Sequence, residues 1–175
     1  PLVARRVDLH LDRELGELVS HPRSRRGPRV GPADALRALG VEIVDGDISD
    51  AASVLKASQG CESVIHSAAV LGGVSQDPNE HLRVNTGGVG NVLDAAQKHG
   101  MRKVVTLGTT TYFDFKTKPL TETSPVDPDA SSDPYTQTKR AAYLEAIKRA
   151  EAGLDVSVII PGGTFGPAPC IQRSM

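Results

Sequence analysis

A chain of 175 residues can bury the core of one domain and offers no evident second. Its 20 basic and 21 acidic side chains leave a net charge of -1 and a pI near 6.6, no electrostatic ground for nucleic acid or an anionic membrane. No apolar run nears the ~18–20 residues of a membrane span, and neither the two cysteines (Cys61, Cys170) nor the five scattered histidines make a disulfide framework or a metal site.

Residues 1–32 form a poorly defined N-terminal segment. Its charged opening (Arg5, Arg6, Asp8) does not resemble a secretory leader and, with so few thiols, fits a cytoplasmic protein. Val3, Val7, Leu11, Leu15 and Leu18 predict an amphipathic helix. Pro22, Gly27, Pro28, Gly31 and Pro32 then mean loop, and Arg23, Arg25, Arg26 and Arg29 within it are either solvated or poised for a phosphate. From Ala33 the pattern is regular. A helix to Leu39 closes at Gly40, and the β-branched run Val41–Val44 is a strand leading to Asp47-Ile48. Ser49 or Asp50 caps a helix through Lys56, and the strand Ser63–His66 opens into Ser67-Ala68-Ala69. A long helix spans Asn79–His99 before Gly100, followed by the strand Lys103–Leu107 and Gly108-Thr109-Thr110-Thr111. After a loop rich in Pro and Asp (Pro119–Pro134), a helix runs from Tyr135 to about Ala152. The strand Val156–Ile160 then leads to Pro161-Gly162-Gly163. Strands alternating with helices predict an α/β fold, a doubly wound parallel sheet covered on both faces.

In such a sheet, ligands bind at the carboxyl ends of the strands. Asp47, the small residues Ser67–Ala69, Thr109 and Pro161–Gly163 all follow strands, so they share one rim, where small side chains admit a flat ligand close to the backbone. The Tyr135 helix starts beside it. Tyr135 and Lys139 are four residues apart and share a helix face. An ammonium near a phenol favours the phenolate, so such a pair can exchange a proton with an alcohol or carbonyl oxygen near neutral pH.

Between Ala33 and Pro167 the chain resembles the extended short-chain dehydrogenase/reductase family, the NAD-dependent epimerase/dehydratases. The resemblance rests on Gly46-Asp47-Ile48, Val64–Ala69, Val84-Asn85-Thr86-Gly87 with Asn91–Ala96, Pro134-Tyr135 with Lys139, and Pro161 with Phe165-Gly166-Pro167. It implies a Rossmann-like NAD(P)-binding domain over 33–175, incomplete at the N-terminus. It implies NAD or NADP as cofactor, with the arginines of 23–29 available to a 2′-phosphate. The implied reaction is hydride transfer at a secondary alcohol or carbonyl carbon of a small molecule or nucleotide sugar. Tyr135 is then the acid/base, and Lys139 the residue that holds the nicotinamide ribose and favours the phenolate. Thr109, 26 residues before Tyr135, bonds the substrate oxygen, with Thr110 as its competitor. Asn85 is either part of a water and proton relay or a structural amide. Asp47 and Ile48 flank the adenine, the alternative for Asp47 being a cap on its own turn. Ser67, Ala68 and Ala69 line the cofactor, and Pro161, Gly162 and Gly163 pass near the nicotinamide. His66 reads as a buried structural imidazole, Tyr112 and Tyr143 as structural aromatics. A homodimer through the helices carrying Asn85 and Tyr135 is a further implication. Ala141, Ala142 and Ala146 suit that contact or packing inside one subunit.

Two departures stand beside these matches. The glycine fingerprint that receives the pyrophosphate has no counterpart: Gly87-Gly88-Val89-Gly90 lies in a helix, and Gly163-Thr164-Phe165-Gly166 lacks the spacing. The C-terminal substrate domain of the family is not in this chain, which opens with Pro1, stops at Met175 and reads as a piece of a longer protein. Thr110-Thr111 also stand where the sugar-nucleotide dehydratases of the family carry Asp-Glu, which counts against a dehydratase. The alternative to an enzyme is a catalytically silent fragment, or a nucleotide-sensing or assembly module.

Overall fold

The computed structural model describes residues 2–5, 36–73, 75, 77–116 and 119–163. In chain order it has β1 (Leu2–Arg5), β2 (Glu42–Asp45), α1 (Ala51–Ala57), β3 (Ser63–His66) and α2 (Pro78–His81). A π-helical segment (Leu82–Gly87) joins α2 to α3 (Gly88–His99), and β4 (Lys103–Leu107) and a 3-10 turn (Thr110–Tyr112) follow. The last elements are α4 (Pro134–Glu151) and β5 (Val156–Ile159).

β3, β4 and β5 form a parallel sheet in that order, with Val64 opposite Val104 and Val104 opposite Val156. Side chains alternate across a sheet, so these three valines share one face. That face meets α3, whose buried Val89, Val92, Leu93 and Ala96 recur at three- and four-residue spacing, and α4, which contributes Ala142 and Ala146. Ala142 and Ala146 therefore pack inside one subunit. The opposite row carries Ile65, 71% exposed, and Ile159, 52% exposed, so among the described residues this face has no layer over it.

Local signals account for the helix ends. Asp50 caps α1 by accepting from the Ala52 N–H, and Asp133 caps α4 by accepting from the Thr136 N–H, with Pro134 in the first turn. Gly100 ends α3 at φ 61°, a left-handed residue that glycine supplies without a Cβ penalty. Across the helix pair, Arg149 of α4 reaches Asp94 of α3 at 2.7 Å. No helix among the described residues is long and apolar enough to cross a membrane.

Three expectations are corrected. Leu2–Arg5 is not the start of an amphipathic helix but a strand, antiparallel to β2, with Leu2 opposite Asp45 and Arg5 opposite Glu42. A strand edge presents unpaired N–H and C=O groups to any extended segment within reach, and that pairing overrides a helical spacing of valines. The rest of the predicted helix, and residues 33–35 of the next one, lie outside the described residues; residues 36–38 are helical. Next, β2 does not join the parallel sheet but forms a two-stranded sheet with β1. Finally, the long helix is continuous over 78–99 but contains the π segment. Gly88 within this helix serves packing: a Cβ there would lie 2.9 Å from Ile48 Cγ1.

Candidate active site

Tyr135 and Lys139 sit in the first two turns of α4. Lys139 is 7% exposed, and its Nζ donates to the Leu107 carbonyl at 2.5 Å, tying the helix to the last residue of β4. Burial pushes this ammonium below the usual lysine range. One strand over, His66 ends β3, and burial first and the Lys139 charge second push its imidazole down to about 4. It is neutral at pH 7, as a buried structural histidine should be. The Tyr135 ring lies against the loop that follows β3, since a Cβ on Gly72 would stand 3.6 Å from Tyr135 Cβ and Cγ. His81 meets the same ring edge-on, with centroids 6.5 Å apart.

Asn85, 1% exposed, lies in the π segment and braces three parts of the site. Its Oδ1 accepts from the Val70 N–H at 2.8 Å, and its Nδ2 donates to the Val70 carbonyl at 3.0 Å. Nδ2 also faces Thr138 Oγ1 of α4 at 3.2 Å and His81 Nδ1 at 3.3 Å. His81 Nε2 lies 3.1 Å from the Ser75 carbonyl, so Nε2 carries the proton and Nδ1 accepts. Thr138 Oγ1 in turn donates to the Pro134 carbonyl at 2.6 Å, and Thr86 Oγ1 donates to the Thr138 carbonyl at 3.0 Å. A π insertion re-aims side chains relative to a regular helix, and here the re-aimed residue is the one that spans loop and helix.

Thr109 leaves β4 extended and caps the 3-10 turn, accepting from the Thr111 N–H at 3.4 Å. That bond is long, so the hydroxyl is weakly held. Thr111 accepts from Thr136 Oγ1 at 3.2 Å, which joins the threonine run to α4. Behind it Tyr112 is fully buried and stacks on Tyr143 at 5.1 Å. Its hydroxyl has no hydrogen-bond partner among the described residues. Burial raises this phenol well above the ordinary range; the Thr109 backbone N–H lies toward the oxygen and opposes the shift without reaching hydrogen-bond geometry. Gly108 makes the arrangement feasible, because a Cβ there would lie 2.4 Å from the Tyr112 oxygen.

The expected cofactor residues divide into two groups. Ser67 and Ala68 are exposed after β3 and Ala69 is half-buried, while Pro161, Gly162 and Gly163 are exposed after β5. This open, small-residue rim suits a flat cofactor, and Lys139 uses one of its three N–H donors on Leu107, so the site fits a nicotinamide ribose. Asp47 and Ile48 lie in a different cluster. Asp47 Oδ1 accepts from the Ser49 N–H at 2.9 Å and the Ser49 hydroxyl at 2.7 Å, and Arg83 stands 3.5 Å from Oδ2. The Ser49 N–H first, then its hydroxyl, lower the Asp47 pKa. Arg83 also donates to Ser49 Oγ, and Asn91 Nδ2 holds the Ile48 carbonyl at 2.9 Å. Asp47 thus caps its own turn with one oxygen and keeps the other half-exposed. Phe165, Gly166, Pro167 and the arginines of 23–29 lie outside the described residues.

Sequence reasoning passed over Gly72, His81 and Thr138, and for Tyr112 gave a structural aromatic without its place beneath Gly108. His81 and Asn85 share the i, i+4 spacing of one helix face, a signal available in the sequence; the other three depend on contacts between distant segments.

The model of the NAD dependent epimerase/dehydratase family matches residues 11–174. Sterol demethylase protein B of Methylococcus capsulatus is 31% identical over 136 residues, covering 76% of this chain and 41% of that protein. Cinnamoyl-CoA reductase 1 of Oryza sativa subsp. japonica is 33% identical over 162 residues, covering 81% of this chain and 46% of that protein. Among solved structures, UDP-glucose 4-epimerase from Brucella ovis in complex with NAD superposes with a TM-score of 0.56 and 28% identity, covering 67% of this chain and 37% of that one. The fold is Rossmann-like, and the chain spans less than half the length of these relatives.

Proposed function

Because the chain belongs to the NAD-dependent epimerase/dehydratase family, we propose that it carries the cofactor-binding and proton-transfer machinery of an NAD(P)-dependent oxidoreductase or epimerase. The observation that carries this reading is the Lys139 anchor. A buried ammonium on the Leu107 carbonyl at 2.5 Å holds the first turns of α4 against the strand-end rim. Tyr135 then exchanges a proton with the substrate oxygen, and Lys139 directs its remaining N–H donors at the ribose hydroxyls and at the phenol. Thr109, or Thr110 beside it, donates a hydrogen bond to the oxygen where negative charge develops. Ser67–Ala69 and Pro161–Gly163 admit the cofactor, Asp47 and Ile48 flank its adenine, and Asn85 positions the loop after β3 against α4. The nicotinamide, when bound, supplies the hydride chemistry that no side chain can. The names of the relatives above support the reductase and epimerase classes alike. Cytosolic residence and a homodimer belong to the same proposal. With Ala142 and Ala146 used internally, the half-buried Ala141 and the exposed Leu144 of α4 remain for such a contact. A monomer mass in sedimentation equilibrium would remove the dimer.

The test is Tyr135→Phe in the enzyme carrying this chain. Turnover is expected to fall by about 10²–10⁴-fold while NADH affinity, followed by its fluorescence, stays the same. Unchanged turnover would overturn the assignment.

A further inference from the structure

The segment between β4 and α4 is pinned at several points. Phe113 bridges Val126, the Asp127 N–H donates to the Tyr112 carbonyl at 2.9 Å, and the Asp114 N–H donates to the Pro125 carbonyl at 3.0 Å. Arg140 of α4 holds the Asp127 carbonyl at 3.2 Å and the Pro128 carbonyl beside it. Between this segment and the chain leaving β5 lies a cleft of about 890 Å³, within the size range of small-molecule sites. Its walls are Phe113, Phe115, Leu120 and Ile160; Thr110 adds a hydroxyl and Glu122 the one charge among the described lining residues.

We propose that this cleft takes the body of an uncharged, largely apolar alcohol or carbonyl substrate, and not a nucleotide sugar. A nucleotide diphosphate brings two negative charges that need lysine, arginine or a helix N-terminus to replace lost water. Among the described residues the lining supplies a carboxylate instead, and a like charge repels the diphosphate. An apolar body loses nothing by leaving water for these walls, where each Å² of apolar surface removed from water contributes roughly 25 cal/mol. Thr110 lines the cleft and adjoins Thr109, so a molecule in the cleft ends beside the threonines assigned to the reacting oxygen. The inference rests on the oxidoreductase reading for the fate of that oxygen, but not for the binding itself.

Saturation-transfer difference NMR with benzylacetone, a neutral apolar ketone, and with UDP-glucose tests it on the 175-residue chain. Benzylacetone is expected to bind saturably and UDP-glucose not. Leu120→Arg and Phe115→Ser, both at half-buried or exposed positions, are each expected to weaken the ketone by at least about tenfold, with helical circular dichroism retained. Failure of the ketone to bind, indifference to both substitutions, or UDP-glucose binding that either substitution abolishes would overturn the proposal. Ketone binding to the chain without a Tyr135-dependent reaction in the enzyme that carries it would reject the oxidoreductase reading and leave the cleft assignment intact. Tyr135-dependent turnover of UDP-glucose would do the reverse.

Discussion

At Gly108 a single hydrogen in place of a Cβ decides whether the end of β4 can form. The added carbon of Gly108→Ala would meet the Tyr112 oxygen at 2.4 Å, Ile160 Cγ1 at 3.1 Å and Val158 Cγ1 at 3.2 Å. The phenol cannot swing aside, because it is buried and stacked on Tyr143. Gly108→Ala is therefore expected to cost about 1–3 kcal/mol in urea unfolding. Tyr112→Phe removes a buried hydroxyl that finds no partner among the described residues, and is expected to leave stability level or raise it by about 1 kcal/mol. In the double variant part of the alanine penalty should be relieved, since the oxygen is gone while Ile160 and Val158 remain. A strictly additive cycle would show that the phenol is not what constrains the glycine. None of this was legible at sequence level, where Tyr112 read simply as a structural aromatic.

For the helices, local chemistry was a good guide and register across elements was not. Gly100 is a signal contained within a turn of chain, and it ends α3 as expected; Asp133-Pro134 is equally local and starts α4 one residue before the expected Tyr135. The role of Asn85 is different in kind. Its partners Val70 and Thr138 lie 15 and 53 residues away, so no spacing rule reports them. Asn85→Ala would leave the Val70 N–H and carbonyl without their side-chain partner, and the expected loss is about 2–4 kcal/mol. The loop after β3 should loosen first, visible as faster amide exchange at Val70 than in α3. Equal protection at Val70 in both proteins would mean the brace is dispensable.

Across the whole molecule the site lies where sheet and helix layers meet, which couples its charge state to folding. His66 releases its proton at about 4 when folded, against an ordinary value of 6.5 in the unfolded chain. The unfolded state therefore binds more protons between those values, and stability is intact above about 6.5 and falls as pH drops toward 4. Full protonation amounts to about 3 kcal/mol. The Lys139 charge facing the imidazole adds to the effect of burial in the same direction. Urea unfolding of the wild type and of His66→Gln at pH 7.5 and at pH 4.5 should differ in slope, the variant losing less on acidification. Parallel losses in the two proteins would exclude His66 as the source.

The amino-acid sequence by itself determined the alternation of strands and helices, the ends of α1 and α3, the common rim of Ser67, Thr109 and Pro161, and the place of Tyr135 and Lys139 on one helix. Each of these depends on periodicity or on neighbours within a few residues, and such preferences act before any tertiary contact exists. Only the tertiary structure decided that β2 pairs with Leu2–Arg5 instead of joining the parallel sheet. It also decided that Ala142 and Ala146 face the core, that Asp47 spends one oxygen on Ser49, and that an apolar cleft opens between Phe115 and Ile160. These outcomes turn on which distant segments meet, and their free energy comes from burial and hydrogen bonds that no single stretch of chain contains.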